Sequence, residues 1–273
     1  MNFLPADFDK TKPIITLVAG RGDYPLLLAR RILQQGIECN LISLHDETDE
    51  DVKDLFTPER SHEIHIGQLG KLLSILSKTK TSHVILAGQI RPMRLFSLKP
   101  DFRVLWLISR MKERNASTIF GALCEQIEKR NITVLDARCF MDDDIVQPAE
   151  KFPIKQSQVD FGIHIASEIA RLNIGQSIVV RNGTVIAVEG FDGTNAMLKH
   201  CKDLNLKNTM FIKISKPGHD FRFDVPVFGI KTLELLHNAN IKYAALESGK
   251  TIILDQENVL KRAKELGIKI FGY

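Results

Sequence analysis

The chain has 273 residues, of which 44% are hydrophobic and 26% charged, and its formal net charge is +4. That length corresponds to about two domains and can bury its own core without disulfides or metals as staples. The composition excludes collagen-like, disordered and disulfide-framework chains, and the small net charge disfavours nucleic acid as the main partner.

In chain order, residues 14–19 (IITLVA) form a continuous apolar run of strand length. A helix is expected over 25–35, with Pro25 in its first turn and Gly36 at its end. Strands follow at 39–44 and 62–66. The i, i+3, i+4, i+7 spacing of Leu69, Leu72, Leu73 and Leu76 then predicts a helix over 68–77. Residues 83–87 (HVILA) form another buried strand, with helices at 102–111 and 117–129 and a strand at 132–135. Repeated β-α-β units imply an α/β, Rossmann-like first domain with a mostly parallel sheet covered on both faces.

A boundary is expected where Asp142–Asp144, read as a solvated loop, leads into Pro148 and Pro153, which divides the chain into 1–150 and 151–273. The second half reads as an α/β domain with a mixed sheet. Its elements are a helix at 158–172 and a hairpin of 177–181 and 184–189 around Asn182-Gly183. A helix at 194–202 and a strand at 209–214 follow, then a helix at 230–238 and strands at 241–246 and 251–254 about a tight turn at Ser248-Gly249. A helix at 257–266, capped by Asp255 and stopped by Gly267, and a strand at 269–271 close the chain.

No run approaches the roughly 18 apolar residues that span a bilayer. Residues 1–11 hold acids and a proline without an apolar stretch, so no secretory leader is expected. Cys39, Cys124, Cys139 and Cys201 form no CxxC pair and lie in apolar segments, as buried thiols in a reducing, cytoplasmic setting would.

Several stretches carry candidate chemistry. Gly20-Arg21-Gly22 joins the first strand to the first helix, where free N–H groups suit a phosphate; a plain tight turn is the alternative. Pro25 stands where a dinucleotide fingerprint wants Gly or Ala, so NAD is not supported. Gly88-Gln89, after the HVILA strand, would face the same crevice at the carboxyl ends of the strands. Segment 91–114 carries seven basic residues against two acids, interleaved with Phe96, Phe102, Leu105, Trp106 and Ile108. It suits a membrane surface or an anionic lipid-like ligand, or else is an amphipathic helix with a solvated basic face.

Glu189, Asp192 and Thr194 lie on a glycine-rich turn entering a helix. The carboxylates there could hold Mg²⁺, or Asp192 or Thr194 could cap the helix. Lys213 and Lys216 at a strand end suit phosphate oxygens. Asp224, in a loop restrained by Pro226, reads as a base or metal ligand, or as the ion-pair partner of Arg222 or a nearby lysine. Residues 247–251 (ESGKT) end like a P-loop but lack the upstream glycine and precede a strand, and so read as a hairpin turn. His62 and His65, three apart in one expected strand, point to opposite faces and make a poor metal pair.

Several of these motifs occur together in a specific order. LNIGQSIVVRNGTVIAVEGFDGTNAMLKHC (172–201), FDVPVFGIKTLELLHNANIKYAALESGKTIILD (223–255) and the closing AKELGIKIFGY resemble the LpxI family, as do LVAGRGDYPLLLA and LAGQIRP in the first half. The resemblance implies a UDP-2,3-diacylglucosamine diphosphatase of lipid A synthesis in Gram-negative bacteria. Such an enzyme is Mg²⁺-dependent and directs water at the phosphorus on the sugar side, yielding UMP and 2,3-diacylglucosamine 1-phosphate. It also implies two domains with substrate between them, a homodimer, and a lipid-linked nucleotide-sugar substrate drawn from the inner membrane, with possible peripheral contact at its cytoplasmic face.

The family's essential aspartate falls on Asp224. Its ligand contacts fall on Gly20, Arg21, Gly22, Gly88, Gln89, Gln176, Thr194, Lys213 and Lys216. Glu189 and Asp192 become supporting acids, with Asp224 and Asp192 as metal ligands. One departure is Gly193-Thr194-Asn195 where the family pattern has Gly-Thr-Asp. The rival expectation is a Rossmann-like enzyme, or a non-catalytic binding protein, for another nucleotide-sugar.

Overall fold

The computed structural model describes residues 3–6, 8–9, 13–91, 101–111 and 115–273. Arg94, Phe96, Lys99, Lys112 and Arg114 of the basic stretch lie outside the described residues.

The first unit comprises Asn2–Asp142 together with Asp220–Asp224. Its sheet has five strands: β1 (Ile14–Ala19), β2 (Glu38–Leu44), β3 (Ser61–Ile64), β4 (His83–Ala87) and β5 (Thr133–Val134). They run in the order β3-β2-β1-β4-β5 and every pairing is parallel. The chain therefore steps outward from β1 in one direction, returns, and steps out again through β4, which puts a topological switch point between β1 and β4. Helices α1 (Asp23–Gln34), α2 (Glu50–Lys53), α3 (Leu69–Lys78), α4 (Phe102–Ser109) and α5 (Ala116–Glu128) complete the unit. The leucine stripe expected on α3 is buried, with Leu69, Leu72, Leu73 and Leu76 packed against Val84 and Leu86 of β4.

The second unit comprises Asp143–His219 and Val225–Tyr273. Its sheet runs β12-β10-β8-β6-β7, built from β6 (Ser177–Arg181), β7 (Thr184–Val188), β8 (Met210–Lys213), β10 (Tyr243–Leu246) and β12 (Lys269–Gly272). Strands β8, β10 and β12 are mutually parallel, whereas β6 is antiparallel to both β7 and β8. The β6–β7 hairpin turns on Asn182 and Gly183, both at positive φ (46° and 78°), the backbone geometry that Asn-Gly supplies. Helices α6 (Gln156–Arg171), α7 (Thr194–Leu204), α8 (Ile230–Asn238) and α9 (Gln256–Leu266) cover this sheet.

Four local expectations are corrected. Ser248-Gly249 does not close a hairpin: β11 (Ile252–Ile253) leaves the main sheet and pairs in parallel with β9 (Val227–Phe228). Gly249 N donates to Val146 O and Ser248 N to Tyr273 O, so the turn's amides serve its neighbours rather than a returning strand. Asp142–Asp144 is a short 3-10 turn, and Asp144 is buried rather than solvated. Asp255 stands at the N-cap of α9 but makes no capping bond; its carboxylate accepts from the Asn258 side chain instead. Strand β3 ends at Ile64, so His62 and His65 do not share a strand.

The expected thiol burial is met at all four cysteines, and burial pushes those of Cys39, Cys124 and Cys139 up to about 12. Gly272, in β12, sits where a methyl group would overlap Gln147 O and Ser248 Oγ. Overpacking against backbone costs about 2 kcal/mol, so Gly272→Ala should lower the thermal unfolding midpoint by several degrees. An unchanged midpoint by circular dichroism would contradict that packing.

Candidate active site

In the second unit, the carboxyl ends of β8, β10 and β12 share one edge with the start of β6 and the end of β7. Register sets Ser177 and Leu246 on either side of Lys213. Glu189 emerges there from β7. One of its oxygens accepts from Ser177 Oγ (2.6 Å) and Gln176 N (3.2 Å), and the other from Thr194 Oγ1 (2.8 Å). Burial raises the Glu189 carboxyl, but the charge of Lys213 and the bonds from Ser177, Thr194 and Gln176 outweigh it and hold the group below its ordinary value. The carboxylate joins the 175–177 segment to the start of α7. It organises the site rather than standing ready as a base.

Thr194 is thus spent on Glu189 and does not cap α7. The cap position is Gly193, at φ 80°, with no side-chain capping bond from either Thr194 or Asp192. Asp192 and Asn195 are exposed.

Beyond β8 the chain is gripped from both sides. Ile214 N donates to Gln176 O (2.9 Å). Ser215 donates to Glu247 through its N–H (2.7 Å) and its hydroxyl (2.5 Å), and Lys250 Nζ holds the other Glu247 oxygen at 2.6 Å. Tyr273 Oη donates to Lys213 O (3.1 Å), and burial, then the Glu247 charge, raise its hydroxyl far above the ordinary value. Lys213 and Lys216 are therefore carried on a fixed segment. The Lys216 ammonium donates to the neutral Asn173 side chain at 3.0 Å, so its charge remains available to an anion. Ser177, Ser215, Glu247 and Tyr273 were not singled out from sequence. The available signal was Glu247 itself, a charge directly after the buried strand AAL.

In the first unit, the 20–22 and 88–89 turns meet across the switch point. Gly20 N donates to Ala87 O, Arg21 N to Gln89 O, and Gln89 N to Arg21 O. Glycine is needed for this approach, since a Cβ on Gly20 would come within 2.5 Å of Gln89 O. Gly22 N donates to Asp49 Oδ2 at 2.9 Å. The free amide array expected over 20–22 is thus already bonded within the protein, and it is the exposed Arg21 and Gln89 side chains that face solvent.

Asp224 belongs to the same unit through the 220–224 segment. Ala137 N donates to Phe221 O (2.7 Å), Phe223 stacks on Phe120 at 5.7 Å, and Arg138 lies 3.6 Å above the Phe221 ring. Arg222 bonds Asp220 through two nitrogens and Glu128 through a third (2.8 Å), partnerships that, Asp220 first, raise its already high pKa further. Asp224 itself is exposed at the end of this clamp.

Residues 14–143 match the family model of the LpxI N-terminal domain and 144–271 that of the LpxI C-terminal domain. The chain belongs to the LpxI family. An LpxI relative, the UDP-2,3-diacylglucosamine pyrophosphatase LpxI of Caulobacter vibrioides, is 26% identical over 275 residues, covering 94% of this chain and 96% of its own. Solved structures overlap loosely. The biotin carboxylase domain of the Hydrogenobacter thermophilus 2-oxoglutarate carboxylase gives a TM-score of 0.25 at 12% identity, over 62% of this chain and 35% of that one. The crystal structure of gox2253 gives 0.33 at 12%, over 96% and 78%. Overlaps this loose say nothing about chemistry.

Among the described residues no three His, Cys, Asp or Glu side chains gather so as to hold a metal ion. Those residues therefore offer no all-protein cage. Asp192 and Asp224, both exposed, belong to different units; a lone carboxylate of this kind would hold Mg²⁺ in the mode where water and substrate phosphate complete the shell.

The lowered Glu189 pKa has a thermodynamic consequence. A depressed carboxyl contributes stability that is fully present above its unfolded value, near 4.5, and is lost as pH falls through the lower folded value. Glu189→Gln should cost about 1–3 kcal/mol at neutral pH, because Gln176 N and the two hydroxyls lose a carboxylate acceptor. The deficit should shrink in urea titrations as pH drops below that of ordinary carboxylates. A deficit independent of pH would contradict the ionised assignment.

Proposed function

We propose that the chain hydrolyses the diphosphate bond of UDP-2,3-diacylglucosamine, releasing UMP and 2,3-diacylglucosamine 1-phosphate. What carries this reading is the match of both LpxI domains, in order, across residues 14–271, together with the activity named for the Caulobacter relative. The chemistry of the residues agrees with it. Lys213 and Lys216, fixed by the Glu247 and Tyr273 contacts, supply positive charge to diphosphate oxygens. Exposed Leu172, Ile174 and Phe191 flank the segments that carry Asn173, Gly175 and Asp192, and offer apolar surface to acylated sugar.

Asp224 takes the proton of the attacking water. The water oxygen bonds to the phosphorus on the sugar side, the bridging P–O bond breaks, and UMP departs with the bridging oxygen. Mg²⁺, when bound at Asp224 with the substrate phosphates, supplies charge neutralisation. Asn195 keeps a hydrogen-bonding side chain in the first turn of α7 but no charge, so the ion in this chain depends on other carboxylates.

Asp224→Ala should lower UMP release about 10²- to 10⁴-fold while equilibrium dialysis still detects bound UDP-2,3-diacylglucosamine. Near-normal turnover of that variant in excess Mg²⁺ would overturn the role of Asp224. Lys216→Ala should reduce kcat/KM by about tenfold or more, and EDTA should abolish release until Mg²⁺ is restored. Equal turnover of unacylated UDP-glucosamine would favour the rival reading, an enzyme for another nucleotide-sugar.

A further inference from the structure

Helix α4 carries apolar side chains on two opposite stripes. Val104 and Leu107 turn inward and pack on the cluster that contains Leu69 and Leu73. Phe102, Leu105 and Trp106 follow the same i, i+3, i+4 period on the other side, and are 90%, 50% and 52% exposed. A surface helix ordinarily gives its second face to polar residues; α4 does not.

The exposure belongs to an anchored helix. One Asp101 oxygen caps it by accepting from Val104 N (3.0 Å), while the other accepts from Gly70 N (2.6 Å) and ties it to the start of α3. Beside the outward stripe lies a groove of about 400 Å³ whose lining includes Leu69, Leu73, Phe102, Trp106, Arg103 and Arg130, with no carboxylate. The Arg110 guanidinium lies 4.0 Å above the Trp106 ring. Apolar anchors, an amphipathic aromatic ring and arginines thus share one surface.

We infer that α4 docks the protein on a bilayer surface rich in anionic lipid. Phe102, Leu105 and Trp106 enter the headgroup–acyl boundary, and Arg103, Arg110 and Arg130 meet lipid phosphates. Charge favours this occupant over a second copy, because a two-fold contact through this face would set arginines together with no lining acid to pair them. No helix among the described residues is long and apolar enough to cross a membrane, so the contact lies in the interface plane. Docking needs no substrate and stands or falls separately from the hydrolysis proposed above.

Trp106 is the sole tryptophan, so the emission of the full chain reports on α4 directly. With vesicles of equal parts phosphatidylcholine and phosphatidylglycerol, emission should shift to the blue and the protein should sediment with the lipid. Partition into pure phosphatidylcholine should be at least about tenfold weaker, and added salt should weaken the anionic case. The double variant Phe102→Ser, Leu105→Ser should lose about tenfold or more in partition, with helix content and turnover of detergent-dispersed substrate unchanged. Three results would overturn the inference: unshifted emission with the protein left in the supernatant, a vesicle-independent self-association abolished by the double variant, or an equal shift with monomeric short-chain phosphatidylglycerol.

Discussion

The Arg222 clamp is the contact on which the rest of the account depends. Asp220–Asp224 lies within the stretch matched by the C-terminal family model, yet it packs with the first unit. Arg222 fixes it by a bidentate bond to Asp220 and a third bond to Glu128, while Phe223 stacks on Phe120 and joins the cluster around Cys124 and Ile127. A guanidinium fork allows few orientations. The carboxylate that follows is therefore presented from a rigid backbone, although it is itself exposed.

Two half-buried carboxylates play the corresponding part in the second unit. Glu189 and Glu247 each accept from a serine hydroxyl and a backbone N–H, and between them they fasten the start of β6, the end of β7 and the extension of β8. All four of their oxygens accept at least one hydrogen bond. They hold the segment that carries Lys213 and Lys216, and in the hydrolysis proposed above that fixed segment would need little reorganisation as charge develops on a phosphoryl group. The acids that organise this edge are thus distinct from Asp224, which is offered to solvent.

Much of this was legible in the residues. Long apolar runs and the leucine stripe of α3 located β1, β4 and their covering helix, and Asn182-Gly183 located the hairpin, because each signal is local. Readings failed where long-range pairing decided the outcome. The 247–251 segment looks like a hairpin turn until Val146 and Tyr273 claim its amides, and no local pattern reveals that β11 pairs with β9. The glycine turn at 20–22 reads from sequence either as a phosphate site or as a plain tight turn; Ala87, Gln89 and Asp49, distant in sequence, take its amides. Thr194, read from sequence as a cap or a ligand contact, donates to Glu189. The bonds that hold Glu189 and Glu247 were hidden for the same reason, since Ser177 and Ser215 lie 12 and 32 residues from the carboxylates they meet.

The most direct test of the central claim is product analysis. Purified protein incubated with UDP-2,3-diacylglucosamine and Mg²⁺ should yield, by mass spectrometry, UMP and 2,3-diacylglucosamine 1-phosphate in equal amounts. Unconsumed substrate, or UDP accompanied by free diacylglucosamine, would contradict it.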